Sequence, residues 1–137
     1  FYCQYHLGMG HLVRSTEILR SLAEEFKVCF VKAGSDIQGF EFPAGIEIVT
    51  LPLLLSENKQ VKVADNSQNL EEVKESRKNL LLKVFDEFKP DALIIEGYPF
   101  KKYQFEFESI PLLERIQALG GSTKVVCSLR DVVMAQF

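Results

Sequence analysis

At 137 residues with 47% hydrophobic side chains, the chain is long enough for one globular domain with a substantial core and short for two. A formal charge of −3 and a pI near 5.5 leave no basic excess, which speaks against non-specific electrostatic binding to nucleic acid or an anionic membrane. Any anionic ligand must be met locally.

Phe1-Tyr2-Cys3-Gln4 is short and apolar and suits the carboxyl-terminal part of a buried strand. It runs into Gly8-Met9-Gly10-His11-Leu12-Val13-Arg14-Ser15, a glycine loop leading into an amphipathic helix. That helix is expected from His11 to about Glu25, with Leu12, Leu19, Leu22, Ala23 and Phe26 at helical spacing. Val28-Cys29-Phe30-Val31 and Ile46-Glu47-Ile48-Val49-Thr50-Leu51 are β-rich and bounded by glycine or proline, predicting two strands. Residues 53–67 are polar and weakly patterned, and a mobile loop is expected there.

A second helix is predicted from about Leu70 to Phe88, with Asn69 and Glu72 as a capping box and Pro90 beyond its end. Leu70, Val73, Arg77, Leu80, Leu81, Val84, Phe85 and Phe88 fall on one side of it. Ala92-Leu93-Ile94-Ile95 reads as a strand buried on both faces and ends at Glu96-Gly97-Tyr98-Pro99. A third helix, roughly Phe107 to Leu119, stops at Gly120-Gly121, and Lys124 to Leu129 forms a last strand.

The resulting order, β-α-β-β-α-β-α-β, predicts a single α/β domain over 1–137 built on an open, mostly parallel, Rossmann-like sheet with helices on both faces. Ligands in such sheets bind beyond the carboxyl ends of the strands. Three loops there carry unusual residues: Gly8 to Arg14, Glu96 to Pro99, and Arg130-Asp131.

The glycine loop departs from a dinucleotide fingerprint, because Val13 stands in the third glycine position and the second strand ends Val31-Lys32-Ala33-Gly34 without a carboxylate. What the loop offers is bare backbone N–H groups at a helix N-terminus, suited to an anion or oxyanion, or else simply a tight turn. The helix dipole disfavours protonation of His11, which is either a neutral base or a cap. Glu96 is either a rim carboxylate in solvent or a group that binds hydroxyls or supports a base. Arg130-Asp131 is either a ligand contact or a neighbouring charge pair. Cys3, Cys29 and Cys127 lie in apolar runs without metal-binding spacing and are expected to be reduced core thiols of a cytoplasmic protein. No apolar run of about 18 residues and no signal peptide is visible.

The strings G-M-G-H-L-V-R-S, D-A-L-I-I-E-G-Y-P-F and S-L-R-D-V-V together resemble a family of predicted glycosyltransferases of the GT-B type. The chain is distantly similar to the N-terminal half of the peptidoglycan N-acetylglucosaminyltransferase and to UDP-glycosyltransferases. The resemblance implies the acceptor-side domain of a two-domain enzyme, with a C-terminal domain holding most of a nucleotide-sugar donor. It places catalysis on His11 and, less directly, on Glu96. Substrate or phosphate contacts would fall on Gly8, Met9, Gly10, Arg14, Ser15, Tyr98, Arg130 and Asp131. No metal and no cofactor are implied, and the domain by itself is expected to be inactive. The absence of an initiator Met and of a polar tail fits a piece of a longer chain. A nucleotide-sugar epimerase of the same architecture and a non-catalytic nucleotide- or phosphate-binding module are the alternatives.

Overall fold

The computed structural model describes residues 1–5 and 10–129. Its elements are β1 (Tyr2–Gln4), α1 (Gly10–Leu22), β2 (Cys29–Ala33), β3 (Glu47–Thr50), β4 (Leu54–Glu57), β5 (Gln60–Val63), α2 (Leu70–Phe88), β6 (Ala92–Glu96), α3 (Glu106–Ala118) and β7 (Lys124–Ser128). A 3₁₀ turn at Tyr103–Phe105 introduces α3. Five strands form one parallel sheet in the order β3-β2-β1-β6-β7. The expected α/β class with a parallel Rossmann-like sheet is therefore what the chain adopts.

Local chemistry explains the helix ends. The Asn69 side chain accepts from the Glu72 N–H at 3.1 Å, satisfying a first-turn donor of α2. Lys89 in the left-handed region closes that helix just before Pro90. Gly120 and Gly121, both at positive φ, end α3 as expected.

Period-two alternation divides the strands between the two faces of the sheet. Tyr2, Cys29, Val31, Ala33, Leu93 and Ile95 point to one side and pack with Leu81 and Phe85 of α2 and Leu112 and Ile116 of α3. Cys3, Tyr5 and Phe30 point to the other and pack with Leu12 and Leu19 of α1. Burying these side chains is the main favourable term in holding the layers together.

Two readings are corrected. The polar stretch after residue 53 contains an antiparallel hairpin, β4–β5, in place of a featureless loop. Asn58 and Lys59, both at positive φ, make its two-residue turn, while Leu54, Val61 and Val63 bury one side against Val73 and Phe105. The alternation is short and diluted by polar residues, so composition hid it. Phe26, counted on the apolar face of the first helix, lies beyond Leu22 and is 65% exposed. As the predicted order implies, no helix lies between β2 and β3; Ile37, Phe40 and Phe42 cover the sheet there, with Phe42 5.6 Å from Phe30, ring centre to ring centre.

A cavity of about 390 Å³ lies at the amino edge of the sheet, lined by Leu22, Phe26, Val28, Leu81, Phe85 and Phe88 among others. It opens because β1 starts level with Val31 and Ile95, whereas β2 and β6 start at Cys29 and Ala92. It is at the opposite end of the strands from His11, Arg14 and Glu96.

Candidate functional site

The strand order locates the site. From β1 the chain moves outward through β2 to β3, then returns through α2 to β6 on the other side of β1. The connections leaving β1 and β6 therefore go to opposite faces, and the crevice between those two carboxyl ends is the topological switch point of the sheet. Gly10 and His11 follow one of these strands, and Glu96 ends the other.

A polar row crosses the α1 face at this edge. Parallel register sets Thr50 beside Lys32 and Lys32 beside Cys3. The Tyr2–Ile95 pairing, one step on, sets Cys3 beside Glu96, and Glu96 pairs with Ser128. The first turns of α1 lie on this row with residues i, i+3 and i+4 of one helix face. His11 Nδ1 is 2.7 Å from Glu96 Oε1, Arg14 donates from Nη1 to Ser128 Oγ at 2.8 Å, and Ser15 Oγ donates to Cys3 Sγ at 3.5 Å. Arg14 also donates from Nη2 to the Leu129 carbonyl at 2.5 Å. Thus α1 is docked by polar contacts at its N-terminal end and by Leu12 and Leu19 along the rest.

Glu96 is buried, and its Oε2 has no hydrogen-bond partner among the described residues. His11 is 24% exposed in its side chain. A carboxylate that accepts from Nδ1–H holds an imidazole in the tautomer whose Nε2 carries the lone pair. Gly97 turns the chain directly after Glu96 at φ +85°, a conformation that favours glycine, and its N–H donates to the Ser128 carbonyl at 2.9 Å. This turn carries the chain to Lys102, whose Nζ donates to the Gln4 carbonyl at 2.6 Å. Burial pushes the Lys102 ammonium below its ordinary pKa, and the charge of Glu96 pulls it partly back. Burial pushes the Cys3 thiol up to about 11, leaving it protonated and inert near neutral pH.

The structure thus brings His11, Glu96 and Arg14 together, with Gly10 opening α1 beside them. Ser15 is fully buried and turned toward the sheet. Tyr98 packs toward the α2/α3 face, where its hydroxyl lies 3.3 Å from Glu106 Oε1. Gly8, Met9, Arg130 and Asp131 lie outside the described residues. Sequence reasoning missed Lys102 and Gln4, because their contact joins residues 98 apart and neither has a local signature. Among the described residues no cluster of three or more His, Cys, Asp or Glu side chains could hold a metal ion, and no helix is long and apolar enough to cross a membrane. The chain matches no protein-family model, no curated protein and no solved structure.

Proposed function

We propose that this chain is the acceptor-side, N-terminal domain of a GT-B-type glycosyltransferase in which His11 is the general base. The observation that supports the reading is the 2.7 Å contact between His11 Nδ1 and buried Glu96 at the switch point of the sheet. An acceptor hydroxyl is a weak nucleophile near neutral pH, and it needs a base as it attacks. In the proposed step its proton passes to His11 Nε2 as its oxygen bonds the anomeric carbon of the donor sugar. The bond from that carbon to the nucleoside diphosphate breaks, and the electron pair leaves with the phosphate. Glu96 keeps the imidazole oriented and stabilises the imidazolium that forms. A C-terminal domain would hold the nucleotide, and the protein would act in the cytoplasm without a cofactor.

The test is turnover of a nucleotide sugar by the full-length protein. His11→Ala and His11→Gln should each lower kcat by roughly 10²- to 10⁴-fold with donor affinity nearly unchanged. Near-normal turnover by folded His11→Gln protein would reduce His11 to a cap. Epimerisation of the donor without an acceptor would favour an epimerase instead.

A further inference from the structure

On the opposite face of the sheet, beneath the same edge, lies a second polar cluster that the proposed chemistry does not use. Arg77 of α2 and Glu108 of α3 are both wholly buried. Arg77 Nε and Nη2 grip the two oxygens of Glu108 at 2.9 and 2.6 Å, a bidentate fork. Tyr2 donates its hydroxyl to the same carboxylate, and Arg77 Nη1 reaches the Pro52 carbonyl at 3.0 Å. A buried ion pair is weak grounds for stability, because desolvation offsets most of the attraction and apolar side chains of equal volume often do as well. The useful question is what such a pair holds in place.

It holds the end of β1. Arg77 Nη2 donates to Gln4 Oε1 at 2.7 Å, and Gln4 Nε2 in turn donates to the Tyr5 carbonyl at 3.1 Å. The main-chain carbonyl of Gln4 accepts from Lys102. Gln4 is therefore gripped through its side chain from the α2/α3 face and through its backbone by the residue that feels the Glu96 charge. Hydrogen bonds join Glu108, Arg77, Gln4 and Lys102 in series, and the pairing of β1 with β6 carries the end of β1 to Glu96, which meets His11.

We infer that Arg77 and Gln4 are positioning residues for the His11–Glu96 pair: the sealed ion pair fixes the carboxyl end of β1, and with it Lys102 and the adjoining end of β6, so that Glu96 stays aimed at His11. The inference rests on reading that pair as the functional centre, but it does not require the reaction to be glycosyl transfer.

The test is the tautomer of His11, read from imidazole ¹⁵N shifts in the free protein, which holds only two histidines. Wild type should be mainly Nδ1–H. Gln4→Met should lower the Nδ1–H to Nε2–H ratio roughly 2- to 10-fold, the range a single hydrogen bond supports. Arg77→Met/Glu108→Leu, which removes both buried charges together, should do the same in a folded protein, and so should Lys102→Met. A purely structural role would alter the unfolding midpoint and leave the ratio untouched. A wild-type ratio in folded Gln4→Met or in the folded double variant would overturn the inference. Because no turnover is measured, failure here and failure of the transferase reading are separate results.

Discussion

Two clusters of charged side chains lie on either side of the same sheet edge, and they differ in one respect that separates support from chemistry. Around Arg77 and Glu108 every donor and acceptor that the hydrogen bonds describe is engaged, and both side chains are closed off from solvent. Around His11 and Glu96 the imidazole is partly exposed and one carboxylate oxygen has no partner among the described residues. Low local dielectric strengthens satisfied bonds and penalises missing ones, so the first cluster should resist perturbation and the second should be under-coordinated by design. A site meant to receive a ligand needs unused polar capacity. A core bridge needs none.

The largest effect should come from breaking the saturated cluster on one side only. Arg77→Met leaves the Glu108 carboxylate buried without its cation and should cost about 3–5 kcal/mol in urea unfolding. Arg77→Met/Glu108→Leu should recover most of that loss, since no lone charge remains. A cost near zero for Arg77→Met alone would mean that Glu108 is not held as a charged partner, and the contrast would fail.

A smaller effect is expected from the open cluster. Glu96→Gln keeps an acceptor for His11 Nδ1–H and removes a buried charge, so stability should change by no more than about 1 kcal/mol. If Glu96→Gln destabilised the protein as much as Arg77→Met, Glu96 would belong with the core bridge.

The smallest effect sharpens the role of Lys102. Its folded-state pKa is depressed, so between that value and the ordinary 10.5 the unfolded chain holds a proton that the folded protein has released. Stability gained from this group therefore rises with pH through that window. Above pH 10, Tyr2 and Tyr5 act the other way, because burial raises both phenols, Tyr5 to about 12. The phenol term is shared with Lys102→Met, so the difference between wild-type and variant unfolding curves from pH 8 to 11 reports Lys102 together with Cys3, whose raised thiol the Lys102 charge partly lowers. A difference independent of pH would remove the case for a buried, perturbed ammonium.

How far the chain could be read in advance varied with the range of the interactions involved. Helix starts and stops rest on contacts within a few residues, so Asn69 with Glu72 and the Gly120–Gly121 stop were legible. The buried strands were legible as apolar runs, and the order of elements implied a parallel sheet. Arg77 was read on the same side of the second helix as the apolar residues, but its partner was not legible, since Glu108 sits on another helix. The hairpin escaped because four-residue strands carry too little alternation to stand out among polar neighbours.

What the sequence determined by itself was thus the local grammar: which segments are helix or strand, and that His11 and Glu96 fall at carboxyl ends of strands. Tertiary structure decided which of these meet. The return of β6 to the far side of β1 creates the switch point, and the strand register then puts Glu96 under the first turn of α1, against His11. The same register puts Gln4 between Arg77 on one face and Lys102 at the rim. Such pairings depend on strand order and register, which are set by packing of the whole core and leave no trace in the neighbourhood of either residue.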